Sequence, residues 1–490
     1  MPDTIPPDVV KTKPIGPKLV LLSETFHRQA IQRDQSPTIH CLMTLGSIPS
    51  PLAVSQKINE LIETYPLFRS TVIEHRTFLR SNYHWSTPSL ESCSGQSFIE
   101  NISLTISARP SPVISEGNNN SCDRALRRFV SDKIPDFFDT SRGMFKVYVV
   151  KYRVDGEGEE PIKDRCDLVW RIHHGIGDGV LLSKCLESMC EFQNVEGEVT
   201  KTKTRKPRKP IPLHRKIWLG LSAFTKTVTL PLTFSDASTG LKASSDYRKL
   251  GKAKTYATSK TWSVSELKSV SKKMNCTIND IVMSCLSGGI RRYLQSISDP
   301  VILRKKSLKI RALAVVNTRT NMEGLLTAFK NCEAPNEFSY VIPTMPLGSM
   351  SEKDRVKQCK KEMDRLKSSP EPFVVRKLNN KIRDVFGGKF VLKFNCDYVV
   401  NKFTCFFSNL PGPTGPLKIM GCELKRMSNF VHPMMYGCGL SIQSYNGELV
   451  INASCDKEKI QDPGKFMGFV DEVWEELKEG ERREEGDSQI

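Results

Sequence analysis

Apolar and polar residues follow two periods along this chain, and together they predict a mixed α/β protein. Residues 39–45 have the two-residue period of a strand, and a helical stripe comes next. The stripe contains Val54, Ile58, Leu61, Ile62 and Tyr65. Residues 87–121, rich in Ser, Asn and Pro, predict a loop. A short helix near 124–130 and a strand over 144–152 complete this pattern.

The second half of the chain restarts the same alternation. Thr277 suits the N-cap of a long helix whose apolar residues keep helical spacing. Strands are predicted at 310–316, 404–408 and 438–454, with Tyr445-Asn446-Gly447 as a hairpin turn. Asp462 and Pro463 begin a final amphipathic helix.

A chain of 490 residues is long enough for two packed α/β units. We expect an N-terminal lobe over 1–195 and a C-terminal lobe over 246–479. Residues 196–245 form a basic linker followed by an apolar segment, and the acidic tail over 480–490 is predicted to be disordered.

The apolar segment over 217–234 leaves three interpretations open. It follows a stretch rich in Lys, Arg and Pro, and it contains Lys226 and Pro231 itself. A lysine near the middle of a membrane span costs about 2.5 to 3.5 kcal/mol, which favours a helix lying in the membrane interface. A plain linker and a true span are the alternatives.

Composition narrows the classes of partner. Hydrophobic residues make up 39% of the chain and the mean hydropathy is −0.34, which is typical of a soluble interior. A formal charge of +18 favours anionic partners such as a membrane surface or a phosphorylated small molecule. Without zinc-finger spacing or an RNA-binding signature, we expect no nucleic acid as a partner. Fifteen cysteines without a C-x-x-C pair indicate a reducing compartment and no metal site.

The clearest chemical signal is His173-His174-Gly175-Ile176-Gly177-Asp178-Gly179, at the end of a strand over 167–173. Alternation puts His174 in line with an apolar row that includes Trp170 and Ile172. A partly desolvated imidazole stays neutral and can accept a proton. Asp178 begins a helix, where it could cap the first turn or pair with a distant arginine. The plainer alternative is a pair of ordinary histidines beside a glycine turn.

This segment resembles the HHxxxDG signature of the wax ester synthase/diacylglycerol acyltransferase family, within the chloramphenicol-acetyltransferase-like superfamily. Three further segments resemble motifs of that family. They are Pro66-Leu67-Phe68-Arg69 (PLFR), Asn279-Asp280 (ND) and Ser408-Asn409-Leu410-Pro411-Gly412-Pro413 (SN-x-PGP). Each could equally be structural, through core packing, helix initiation or loop rigidity, or could shape a substrate channel.

The chain departs from the family in one segment. Where the family has Pro-Leu-Trp after Asp-x-Ser-Arg, residues 143–145 are Gly-Met-Phe. This puts the local shape of the pocket in doubt.

The resemblance implies two chloramphenicol-acetyltransferase-like lobes with a tunnel between them and His174 near its middle. It implies an O-acyltransferase that uses acyl-CoA as co-substrate, binds no cofactor and esterifies a fatty alcohol or diacylglycerol. His174 would be the general base, with His173 and Asp178 beside it, and Gly175 and Gly179 would shape the turn. The cytosolic face of the endoplasmic reticulum membrane is the expected location, and the oligomeric state stays open. A non-lipid alcohol or amine acceptor, or a non-catalytic acyl-CoA or lipid binder, are the alternatives.

Overall fold

The period-two segments form strands and the 3.6-period segments form helices. The computed structural model describes residues 37–76, 81–107, 121–133, 143–156, 160–192, 212–242, 250–251, 253–333, 336–433 and 435–487. Most of the predicted basic linker lies outside these ranges, as do residues 139–142 of the segment that departs from the family.

Strands and helices are interspersed along the described chain. The strands are β1 (Thr38–Leu45), β2 (Thr71–Arg76), β3 (Ser81–Ser86), β4 (Ile99–Ile106), β5 (Phe145–Val154), β6 (Cys166–His173), β7 (Glu191–Phe192), β8 (Lys254–Thr258), β9 (Trp262–Ser263), β10 (Lys309–Asn317), β11 (Phe338–Val341), β12 (Thr344–Pro346), β13 (Cys405–Leu410), β14 (Leu417–Ile419), β15 (Cys422–Val431), β16 (Cys438–Tyr445) and β17 (Glu448–Asp456). The helices are α1 (Pro51–Thr64), α2 (Ser121–Lys133), α3 (Gly179–Ser188), α4 (Leu213–Thr229), α5 (Val264–Lys273), α6 (Ile278–Ser296), α7 (Pro300–Arg304), α8 (Leu325–Lys330), α9 (Glu352–Lys367), α10 (Glu371–Phe386), α11 (Gly388–Phe394) and α12 (Pro463–Asp487).

Two mixed sheets organise these elements. The first has the strand order β4-β5-β6-β1-β15-β14-β7. The second follows β11-β10-β13-β16-β17-β8, with β12 beside β10 and β9 beside β17. Strand β6 lies between β5 and β1, so the predicted catalytic segment leaves from an interior strand of the first sheet.

The alternation predicted for β6 is confirmed by its packing. Leu168, Trp170 and Ile172 belong to one hydrophobic cluster, which also receives α1 and α3. Val169 belongs to a different cluster on the opposite face, together with Tyr256 of β8. Because both faces are covered, the strand end is held in a dry setting.

Three parts of the chain differ from the sequence-based expectation. The segment predicted as loop over 87–121 contains β4, an edge strand that pairs in parallel with β5. Strand β15, from the predicted C-terminal lobe, pairs with β1 in the first sheet, so residues 417–431 do not follow the predicted division. Helix α12 extends to Asp487, into the tail predicted to be disordered, because Glu, Lys and Arg favour helix.

The predicted apolar segment forms helix α4 and a short 3₁₀ turn, Leu230–Leu232. Among the residues described, no helix is long and apolar enough to cross a membrane. The hairpin turn at Asn446 and Gly447 has φ angles of 46° and 80°, as the Asn-Gly pattern predicts for a type I′ turn.

Candidate active site

The turn that follows β6 is fixed by backbone hydrogen bonds to two neighbouring segments. The His173 N–H donates to the carbonyl of Met144 at 2.8 Å, and the His174 N–H donates to that of Pro37 at 2.8 Å. The Gly175 N–H donates to Nδ1 of the His173 ring at 3.0 Å. The His173 side chain therefore stabilises the turn through a hydrogen bond inside it.

Gly175 is required by this close approach. A Cβ atom at this position would lie 2.8 Å from His173 Nδ1, closer than real contacts allow. The same atom would lie 3.1 Å from the methyl carbon of Met144. Met144 stands where the family has part of its Pro-Leu-Trp segment, so the departure changes the wall beside the turn.

His174 is buried at the end of the apolar row. Burial lowers the pKa of His174 to about 4, and this effect outweighs the opposing contributions of its own backbone, Asp178 and Asn336. The imidazole is therefore neutral at pH 7, as the sequence predicted. A neutral imidazole in a dry setting can take a proton from a bound hydroxyl group.

Asp178 performs both of the structural roles that the sequence left open. Its Oδ1 accepts a hydrogen bond from the Leu181 N–H at 3.1 Å and so caps α3. Its Oδ2 lies 2.6 Å from the Arg319 guanidinium and 2.8 Å from the backbone nitrogen of Glu337. Both charged side chains are at most 5% exposed, so the ion pair is shielded from water. It ties the start of α3 to the end of β10.

Asn336 and Phe338, at the start of β11, close the turn from the second sheet. The Asn336 amide donates to the carbonyl of His174 at 2.9 Å and to that of Gly175 at 3.3 Å. The Phe338 ring centroid is 5.8 Å from that of His174. The candidate base is thus positioned by residues from both halves of the chain.

Comparison with known proteins shows which family this chain resembles. A family model described as the WS/DGAT C-terminal domain matches residues 334–478, the range that begins at this closing segment. Wax ester synthase/diacylglycerol acyltransferase 1 of Arabidopsis thaliana is 27% identical over 401 residues, covering 75% of this chain and 78% of the relative.

The solved structures agree. A wax ester synthase/diacylglycerol acyltransferase from Marinobacter aquaeolei VT8 has a TM-score of 0.61 at 16% identity, covering 94% of this chain and 99% of the other. The chain is similar to the wax ester synthase/diacylglycerol acyltransferase family in sequence and in fold. The predicted α/β fold class is confirmed, and the similarity supports an acyltransferase of the wax ester synthase/diacylglycerol acyltransferase type.

A second fold relative comes from a different group of proteins. The starter condensation domain of rhizomide synthetase RzmA, solved with C8-CoA and Leu-SNAC, has a TM-score of 0.54 at 11% identity. The likeness covers 93% of this chain and 94% of that domain. The fold is therefore shared well beyond the wax ester synthase/diacylglycerol acyltransferase family.

Two of the family's auxiliary motifs meet beside the histidine turn. A Cβ atom on Gly179 would lie 2.6 Å from Leu410, so the SN-x-PGP segment packs directly on the start of α3. The neighbouring Asn409 donates from its amide to the Asn279 side-chain oxygen at 2.8 Å. This contact joins the SN-x-PGP and ND motifs, which lie 130 residues apart in the chain.

The other members of these two motifs make contacts within their own segments or with neighbouring strands. Asp280 accepts from the Thr277 N–H at 2.7 Å and completes the capping box of α6. Ser408 is a buried residue of β13, and Pro411 is exposed in the loop that follows. A Cβ atom on Gly412 would lie 2.1 Å from the carbonyl oxygen of Ser444, so only glycine fits there.

The segment that resembles PLFR packs in the core beside β5. Pro66–Arg69 forms a single 3₁₀ turn whose Leu67 and Phe68 are fully buried. Phe68 packs edge-on against Phe145 at 5.1 Å between ring centroids. Arg69 donates to the carbonyl of Pro88 at 3.1 Å, and also to that of Ile62. This segment therefore stabilises β5, which in turn holds the turn after β6.

Sequence reasoning missed Arg319, Asn336 and Phe338. The pairing of Asp178 with an arginine was anticipated, but its partner lies 141 residues away. No periodicity or spacing links Asn336 to the histidines, and Phe338 has the pattern of any buried strand residue. These residues come together only through tertiary contacts between the segments near β10 and β11 and the turn after β6.

Proposed function

We propose that this chain transfers a long-chain acyl group from acyl-CoA to a lipophilic alcohol, either a fatty alcohol or diacylglycerol. The observation that carries the proposal is the desolvated His174, neutral at pH 7 and held between the two halves of the chain. The named functions of the Arabidopsis and Marinobacter relatives support the choice of acceptor.

The proposed reaction is a direct transfer with His174 as both base and acid. His174 removes the proton of the alcohol while the alcohol oxygen attacks the thioester carbonyl carbon. The carbon–sulfur bond breaks, and the protonated imidazole returns its proton to the CoA thiolate. The products are an ester and free CoA, and no acyl-enzyme forms, because holding both substrates side by side supplies the required proximity.

The proposed acyl donor has two supports. The chain carries a formal charge of +18, which favours the phosphates of CoA. The condensation domain of rhizomide synthetase RzmA, which has the same fold, was solved with C8-CoA. A tunnel between the lobes that admits acyl-CoA and the alcohol from opposite sides is part of the proposal.

We also propose that the enzyme works at the cytosolic face of the endoplasmic reticulum membrane. A lipophilic alcohol is dissolved in a membrane, and the apolar segment that contains α4 would bring the enzyme to it.

An acceptor panel tests the function. Purified protein is given palmitoyl-CoA with hexadecanol, with diacylglycerol, with a short water-soluble alcohol or with a long-chain amine, and products are identified by mass spectrometry. We expect ester formation with one or both lipid alcohols. Transfer only to the amine or to the soluble alcohol would assign a different acceptor class. Binding of palmitoyl-CoA without any transfer would indicate a non-catalytic binder.

A further inference from the structure

Helix α4 is amphipathic in the opposite sense to a helix of a water-soluble protein. Its small residues face the protein: Ala223 is 1% exposed, and Gly220 and Thr227 on the same side are half-buried. Its large apolar residues face outward, and they are Ile217, Trp218, Leu221, Phe224 and Val228. A helix that covers a core normally does the reverse. The outward face of α4 therefore requires its own explanation.

Helices α10 and α11 continue this outward apolar face. Helix α4 packs against α10. Lys226 in the last turn of α4 is close enough to Glu371 in the first turn of α10 to lower the pKa of that carboxyl group, against the larger effect of burial, which raises it. Phe386, Phe390, Phe394 and Tyr398 follow at four-residue intervals, with neighbouring ring centroids 5.0 to 6.1 Å apart.

The exposed apolar residues of these three helices, and of the segments that directly follow α4 and α11, form one concentrated surface. We call it the α4–α10–α11 face, and its exposed members are Ile217, Trp218, Leu221, Phe224, Val228, Leu232, Phe234, Phe373, Val385, Phe386, Phe390 and Tyr398. These are twelve of the nineteen large apolar side chains exposed in the described part of the chain. Singly exposed apolar residues are ordinary, whereas such a concentration marks an interaction surface.

Positive charge is distributed through the same face. Helix α10 carries an exposed stripe in which Lys377 and Lys381 stand between Phe373 and Val385 at four-residue steps. In α11, Lys389 and Lys393 flank Phe390, and all three are exposed.

Acidic groups contribute little to this face. Helix α4 contains no acidic residue. On α10, Glu371 is buried, and the exposed Asp384 is paired with Arg383 at 2.8 Å. The face is therefore both apolar and cationic.

We propose that the α4–α10–α11 face docks on the surface of an anionic membrane. Aromatic and aliphatic side chains enter the region between the headgroups and the acyl chains, and the lysines between them meet lipid phosphates and carboxylates. The surface of a neutral protein partner would match the apolar residues but would leave the interspersed ammonium groups to be desolvated without counter-charges. An anionic bilayer satisfies both features at once.

This inference deepens the proposed function, because a lipid acceptor would reach the enzyme from the docked bilayer. The two claims are tested separately, since vesicle binding is measured without any acyl substrate. A wild-type chain that does not bind vesicles but transfers the acyl group to a detergent-solubilised alcohol overturns the docking claim alone. Intact vesicle binding without transfer overturns the function alone.

The first experiment is sedimentation of the purified full chain with phosphatidylcholine vesicles that contain or lack phosphatidylserine. We expect binding to the anionic vesicles that weakens as salt is raised. The double variant Trp218→Ser/Phe390→Ser should bind at least about tenfold more weakly. The matched control is Ile297→Ser/Leu303→Ser, which removes two exposed apolar side chains outside the face and should bind like the wild type.

The second experiment tests the charges. Neutralising lysines of the face should weaken binding by about fivefold for each lysine. The variant carries Gln at Lys377, Lys381, Lys389 and Lys393, and its control carries Gln at Lys268, Lys272, Lys357 and Lys361, exposed elsewhere. Equal losses in variant and control would indicate a diffuse charge effect and would overturn the proposal.

Two further outcomes also count against it. A wild-type chain that does not sediment with anionic vesicles has no such docking face. If the serine variant changes the oligomeric state in light scattering but not vesicle binding, the face belongs to a second copy of the chain instead.

Discussion

Replacing Arg319 by alanine leaves the Asp178 carboxylate buried with two backbone N–H donors and no opposite charge. In the wild type, the carboxylate lies 2.6 Å from the guanidinium, with the two side chains 5% and 2% exposed. Breaking a buried pair by removing one partner costs about 3 to 5 kcal/mol, because the remaining charge stays desolvated. Because the pair holds the helix start beside His174, esterification should also fall by about 100-fold.

A double-mutant cycle measures this coupling. Arg319→Ala, Asp178→Ala and the double variant are compared by urea unfolding followed by circular dichroism, and by esterification rate. Each single variant leaves an unpaired charge and the double variant leaves none, so its loss should be at least about 2 kcal/mol smaller than the sum. Lys184→Ala is the control, since its pair with Glu187 on α3 is largely exposed and is worth less than about 1 kcal/mol. Additive losses would refute the reasoning.

Three further predictions follow from the same geometry. Because burial holds the pKa of His174 near 4, kcat/KM for esterification should stay level from pH 8 to about 5 and then fall with a midpoint near 4; a midpoint near 6.5 would mean an exposed base. Gly412→Ala should lower both thermal stability and activity, since the new Cβ would meet the Ser444 carbonyl at 2.1 Å, whereas Gly415→Ala, with nothing within 4 Å, should be neutral. Asn336→Ala removes the donor to two carbonyls of the turn and should lower kcat by about 10- to 100-fold with little change in KM; an unchanged kcat would exclude a positioning role.

Local chemistry explains which parts of the fold were predictable. The strand β6, the helix start at Asp178 and the capping of α6 by Thr277 each depend on residues within one turn or one strand. The order of strands depends on contacts between distant segments. Strand β15 pairs with β1 although the two are almost 400 residues apart in the sequence, and no periodicity of the sequence indicates that pairing.

Strand β4 was missed for a related reason. It is the edge strand of its sheet, and most of its residues are half-buried or exposed. Residues 102–106 do alternate between apolar and polar, but the segments on either side are rich in Ser, Asn and Pro, and their composition dominated the prediction. The strand forms because β5 offers backbone partners.

The same distinction applies to the candidate site: its local features could be predicted, and its contacts between distant segments could not. The histidine turn and its glycines could be predicted because the motif is continuous in the chain. The PLFR residues were predicted as either structural or tunnel-shaping, and the structure adds that Leu67 and Phe68 are buried, with Phe68 against Phe145. The Asn409–Asn279 contact could not be predicted, because the resemblance of two segments to family motifs does not indicate that the segments are in contact.

The most direct test of the account compares CoA thiol release by the wild type and by His174→Ala, with palmitoyl-CoA and the preferred alcohol. His84→Ala, at a histidine of β3, is the control, and circular dichroism verifies that each protein is folded. We predict alcohol-dependent release by the wild type and the control, and loss of nearly all of it in His174→Ala. Release by folded His174→Ala at the wild-type rate would contradict the assignment of His174 as the general base.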